Sequence, residues 1–322
     1  MRLLNRLFLF FWGVLILSSC SSKNKLDIDT SSINVNFEVT RFDQLFYTAD
    51  TSAFPKIKQD FSYLFPKNVP DSIWIAKMKD SDSRYLFNEA QKIFPDFKEP
   101  SADLNALFKH VKYYFPKYKA PKGVTLISDV DYNNKVIYTD SLLLISLDMY
   151  LGKSHEVYQN FPEYVKKSYS KNNLKVDVAR QIALNIVPRQ DNRTFISSCV
   201  QKGKVLYSIK AFIPSISDSL LLNYNPFKFQ WAQTNTEFIW RYFIENKMLF
   251  KTDRNLYKRF LIEAPFSKFY LEIDNKTPGN IGGYIGYKIG SSYMKNTTAS
   301  FTDMLQTPNE KLFKNSKFKP KN

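Results

Sequence analysis

Histidine and cysteine are scarce, with two of each in 322 residues. Two His cannot build a His₃ metal centre, and two Cys exclude both a disulfide scaffold and a Cys₄ zinc site. Nine Gly and 15 Pro are too few for a collagen-like or linker-like chain. No run reaches the roughly 20 apolar residues of a membrane-spanning helix. Acids are also outnumbered, 30 against 46 cations, for a net charge of +16. Only ten of those cations are Arg, whereas specific nucleic-acid readers lean on Arg for bidentate contacts. The Lys residues are scattered, which reads as a solvated surface rather than a nucleic-acid face.

What the chain does have is apolar and aromatic material, at 44% and 16% of residues, enough for a sizeable core. It also has an N-terminal export pattern. Arg2 and Arg6 precede an uncharged apolar run over residues 7–17, and Leu17-Ser18-Ser19-Cys20 follows. A basic n-region, a short h-region and small residues before a Cys resemble a bacterial lipoprotein signal. The resemblance implies cleavage before Cys20 and acylation of that residue, so 1–19 is read as a signal peptide. The acyl chains would then hold the protein on a lipid bilayer. Residues 20–36 are polar and read as a flexible tether. Cys199 is left alone and reads as a buried apolar residue.

From residue 37 the hydrophobic period is mainly helical. Helices are expected over 54–65, 83–94, 101–115, 163–169, 176–187, 193–212, 255–262 and 281–295. Thr234 and Glu237 suggest a capping box opening a helix to Met248. Between them, 124–128, 135–139 and 142–148 alternate like strands joined by turn-like Asn133-Asn134 and Asp140-Ser141. Helices, a meander and helices again give an α+β fold: mostly helical, with a small, mostly antiparallel sheet. One domain is expected over 37–308, with a fraying basic tail over 309–322.

Three places bear on chemistry. His155-Glu156-Val157-Tyr158-Gln159 falls one residue short of the HExxH zinc motif and reads as a solvated turn or short helix. Gln181 and Asn185 stand four apart on one helical face, and Gln201 follows 20 residues after Gln181. That layout resembles a zincin whose ligands have become amides, with Ile182 where the general-base Glu would stand. Amides bind zinc poorly and Ile cannot move a proton, so no catalytic residue, metal or cofactor is assigned. An ordinary polar helix face explains the same spacing. The third place, 278–294, holds five of the nine Gly without the GxGxxG spacing of a dinucleotide loop. Gly282, Gly286 and Gly290 form a stripe suited to close helix packing. Tyr284 and Tyr287 would line a partner groove beside it or pack in the core.

Arg41-Phe42-Asp43-Gln44-Leu45-Phe46, residues 147–152, the lipoprotein signal and the 278–294 run together resemble the gliding motility lipoprotein GldB of Bacteroidetes. GldB-like proteins are themselves similar to predicted HExxH peptidases, from which this chain departs at Gln181, Ile182 and Asn185. The resemblance implies an envelope role in gliding and, through the same machinery, in type IX secretion. It implies binding of other motility or secretion lipoproteins through a degenerate peptidase-like groove. A metal-dependent hydrolase and a cell-wall or glycan binder are the alternatives. Ser21 follows the Cys and no acidic run follows Lys23, which points to a periplasm-facing position. Replacing Cys20 with Ala is expected to move the protein from the membrane to the soluble fraction of lysed cells; continued sedimentation with membranes would sink the anchor reading.

Overall fold

The computed structural model describes residues 25–320, so Cys20 lies outside the described residues. The chain is mostly helical with one four-stranded sheet. In chain order, the elements that position the site are β1 (Val39–Thr40), α1 (Phe42–Thr48), α2 (Ser81–Ile93), α3 (Lys98–Tyr114), β2 (Lys122–Leu126), β3 (Val136–Tyr138), β4 (Leu142–Ser146), α4 (Lys171–Ile186), α5 (Phe195–Phe212), α6 (Thr236–Glu245), α7 (Ile281–Asn296) and α8 (Asn309–Ser316). Among the described residues no helix is long and apolar enough to cross a membrane.

The sheet order is β1-β2-β4-β3. β3 and β4 form the expected antiparallel hairpin, but β1–β2 and β2–β4 are parallel. The sheet is therefore mixed, not mostly antiparallel. Burial decides the order. β4 is the most apolar strand, with Leu143 and Ile145 fully buried, and it takes an interior position with a neighbour on each side. β3 is three residues long and leaves Ile137 exposed, as an edge strand can.

Two acidic side chains of the motifs brace this sheet. Asp43 on α1 is fully buried, and the Arg41 guanidinium donates to both of its oxygens (2.9 and 2.8 Å). Gln91 Nε2 on α2 and the Thr125 hydroxyl on β2 complete the shell. Pairing and hydrogen bonding are what a fully buried carboxylate requires. Asp148, just past β4, accepts from the backbone N–H groups of Ser128 and Val130 (3.0 and 2.7 Å). Its burial raises the carboxyl above the usual range. Val130 has φ +61°, an unusual conformation for a β-branched residue. The Asp148 contact fixes that turn.

The α-helical core centres on the crossing of α5 and α7. Both are almost entirely buried. A Cβ on Gly286 would stand 1.8 Å from the Cys199 carbonyl oxygen, and one on Gly203 would stand 2.2 Å from the Gly286 backbone. The two backbones touch there, which only Gly allows. Cys199 is fully buried, and burial pushes its thiol pKa up. Beside it, buried Lys204 donates to the carbonyls of Leu305 (3.0 Å) and Thr307, closing the end of the Phe301–Gln306 helix. A cation suits a helix C-terminus, although burial lowers this ammonium to about 8.

Other expectations are corrected. Thr234 ends the Pro226–Thr234 helix, and α6 starts after Asn235 with no side-chain cap, so the Thr234–Glu237 capping box is absent. α3 starts at Lys98 rather than at Ser101. Residues 309–316 do not fray. They form α8, which buries Asn309, Leu312 and Ser316. Within 25–36, Leu26 is buried and Lys25 Nζ donates to the Thr297 carbonyl (2.7 Å), so the described part of this segment lies on the fold.

Gly286→Ala is expected to lower stability by about 3 kcal/mol, because a methyl must push two backbones apart. Gly290→Ala meets its nearest neighbour, Met304 Cε, at an ordinary 3.7 Å. It should be neutral or stabilising by up to about 1 kcal/mol through helix propensity. Urea denaturation midpoints compare the two, and equal midpoints would refute the crossing as the tight point.

Candidate functional site

A cleft of about 850 Å³ opens between α4, the start of α5, the 187–192 connection, the segment leading into β3, Tyr257 of the Arg254–Phe260 helix, Glu263 and Asn280. Gln181 and Gln201 both line it. Asn185 is exposed and lies outside it, while Leu184, half-exposed, takes the lining position on that turn. Ile182 is fully buried on the opposite side of α4. The three amides therefore do not converge as a ligand set would.

Gln201 has a structural task. Its Nε2 donates to the Pro188 carbonyl (2.9 Å), and its Oε1 accepts from Asn309 Nδ2 (2.9 Å). Asn309 Nδ2 also reaches Asn192 Oδ1 (2.7 Å), and Asn309 N–H donates to Gln190 Oε1 (2.9 Å). This amide network fixes the 188–192 wall of the cleft to α5 and α8. The Gln181 side chain makes no hydrogen bond among the described residues and presents its amide without a fixed partner.

The rest of the lining was not singled out from sequence. Arg180, Arg189, Lys202 and Lys135 bring positive charge, against Asp177 and Glu263. Lys135 and Asp177 pair at 2.5 Å, and the Tyr150 hydroxyl donates to the same carboxylate (3.0 Å). Burial lowers the ammonium pKa of Lys202, with Glu263 opposing and Arg180 reinforcing that shift. Lys167, over the Tyr224 ring, is lowered by burial in the same way. These residues are spread from Lys135 to Glu263 with no regular spacing, so only the fold assembles them.

His155 stands at a short helix, as expected, but is part-buried rather than fully solvated. Its Nε2 lies 3.3 Å from Glu89 Oε2, and its Nδ1 accepts from Val157 N–H at 3.4 Å, at the start of the short 3₁₀ turn Glu156–Tyr158. Among the described residues no group of three His, Cys, Asp or Glu side chains is placed to hold a metal ion. The five candidates along 282–290 are core residues. Gly282, Gly286 and Gly290 are buried in α7, and Tyr284 and Tyr287 are also buried. Tyr284 shares a hydrogen bond with the Thr236 hydroxyl (2.7 Å), and Tyr287 reaches Asp218 (3.5 Å). They do not line an open groove. Instead, Asn280, which precedes α7, carries this segment to the cleft.

Comparison with family models gives one match, described as gliding motility protein GldB, over residues 23–320. The chain belongs to the GldB family. It is thus a gliding motility protein, and the family's lipoprotein designation agrees with anchoring by lipid. The match spans all the described residues, so the cleft and the α5–α7 crossing both fall within the GldB region. Neither the curated proteins nor the solved structures give a match.

Gln201→Ala is expected to cost about 2 kcal/mol, because it leaves the Pro188 carbonyl and one of the two Asn309 Nδ2 hydrogens without a partner. Gln181→Ala should stay within about 0.5 kcal/mol, as surface changes do. Equal losses in chemical denaturation would contradict the different roles assigned to the two amides.

Proposed function

We propose that this GldB-family protein is a non-catalytic envelope lipoprotein that binds and stabilises other lipoproteins of the gliding and type IX secretion machinery. Acylated Cys20 holds it on a bilayer facing the periplasm, away from nucleic acid. The cleft between α4 and α5 is its binding surface. The observation that carries this reading is the occupation of the peptidase-like positions. Ile182 is buried where a general base would stand, Gln201 is saturated by structural hydrogen bonds, and Asn185 points away from the cleft. Proton transfer needs a titratable group within hydrogen-bond reach of substrate, and none of these three supplies one. An open, mixed polar and apolar cleft suits recognition instead.

A photo-crosslinking side chain in place of Leu184, in cells carrying a C-terminally tagged chain, tests this. Capture of other motility or secretion lipoproteins is expected, and none should be captured from exposed Tyr113 on α3. Equal capture from both positions, or stoichiometric zinc in the parent that vanishes when Gln181, Asn185 and Gln201 are replaced by Ala, would overturn the reading.

A further inference from the structure

Charge in the cleft is unbalanced. Asp177 is neutralised by Lys135, which leaves Arg180, Arg189 and Lys202 with a single carboxylate, Glu263. Among the described residues none of these three cations has a carboxylate oxygen within 4.0 Å. Arg180 reaches only the Leu221 carbonyl, at 3.4 Å. Lys202 Nζ stands 5.6 Å from the centre of the Tyr257 ring. Glu263 is exposed, and its neighbour is Asn280 Nδ2 at 3.4 Å. Arg180 and Lys202 are half-buried and stand close enough to repel each other. Glu263 attracts Lys202 from a distance but pairs with neither cation, and holding like charges together, partly out of water and without a paired counterion, costs free energy. An anion entering the cleft would relieve that cost.

The cleft is too large for a simple anion alone. At about 850 Å³ it accommodates several residues of extended chain. Leu184, Val187, Val205 and Leu220 supply apolar contact between the charges. Gln181 and Asn223 offer amides at its wall. Backbone N–H and C=O groups at regular spacing would meet such partners. A glycan would call for ring faces, and of the lining residues only Tyr132 and Tyr257 are aromatic.

We propose that the cleft binds an acidic polypeptide segment, whose carboxylates are received by Arg180 and Lys202 while apolar side chains settle against Leu184 and Val187. Glu263 acts as the competing internal carboxylate that keeps the empty cleft soluble and the binding reversible. This inference rests on the cleft being the protein's binding surface.

The test uses the mature lipidated chain in detergent micelles and fluorescent ten-residue peptides, read by anisotropy. A Glu/Ala peptide is expected to bind, and Gln/Ala and Lys/Ala peptides of the same length are not. Arg180→Gln and Lys202→Gln should each weaken binding about tenfold, the scale of one lost charged hydrogen bond. Glu263→Gln should strengthen it, and added salt should weaken it. Melting temperatures report whether each variant is folded. If a cation variant unfolds, the peptide series and Glu263→Gln still decide. Equal binding of the Gln/Ala peptide, or unchanged affinity in folded Arg180→Gln and Lys202→Gln, would overturn the proposal. So would displacement of the peptide by inorganic phosphate or polygalacturonate at matched charge, which would assign the cleft to anions in general. Crosslinking from Leu184 to motility lipoproteins without acidic-peptide binding would refute this inference and leave the proposed function standing.

Discussion

Everything on the helical side of the molecule depends on one backbone contact, where Gly286 of α7 meets the Cys199 carbonyl and Gly203 of α5. A helix rich in Gly is intrinsically poor, at roughly 1 kcal/mol per Gly relative to Ala. The close crossing offsets that deficit by bringing two long, buried helices into contact along their length. With α5 fixed, its Lys204 closes the Phe301–Gln306 helix and its Gln201 anchors the start of α8. The wall of the cleft is therefore an extension of the core rather than a loose loop. The turn at 278–280 is held as firmly, because the Tyr224 hydroxyl donates to the Gly279 carbonyl and the Ser267 hydroxyl to that of Pro278.

The two halves use different means to the same end. Around the sheet, buried charge does the bracing: Asp43 joins α1, α2 and β2, and Asp148 ties the strained 128–130 turn to the end of β4. Around α5, the bracing is close packing and amide hydrogen bonds. The cleft lies where the two meet, with β3 on one side and α5 on the other, so its charges are mounted on two independently stabilised walls. That arrangement lets uncompensated cations persist without loosening either half.

Much of the fold was legible from periodicity. The stripe of Leu104, Leu107, Phe108 and Val111 marks α3, and all four are buried. The Gly spacing marks α7 and its close approach to another helix. Strand direction was not legible, because pairing of β2 with β4 rather than β3 is a non-local choice made by burial. The Thr234–Glu237 pair misled because the preceding helix already occupies Thr234. At the site, the spacing of Gln181 and Gln201 picked out two residues that line the cleft. Asn185 was misplaced by a helical wheel too coarse to separate it from Leu184. Arg180, Lys202 and Glu263 left no local signal, since three separate segments contribute them.

The α5–α7 crossing also bears on when the chain can fold. Its partners are separated by most of the C-terminal third of the sequence, and β1 waits similarly for β2 across five intervening α-helices. Pairings this distant in sequence must overcome loop-closure entropy before they return any stability. The last sixth of the chain supplies α7, the carbonyls that take up Lys204, and α8. Until that portion is available, α5 has its most apolar face exposed. A chain emerging in N-to-C order therefore reaches its native core only once α7 and α8 are available, and is aggregation-prone up to that point.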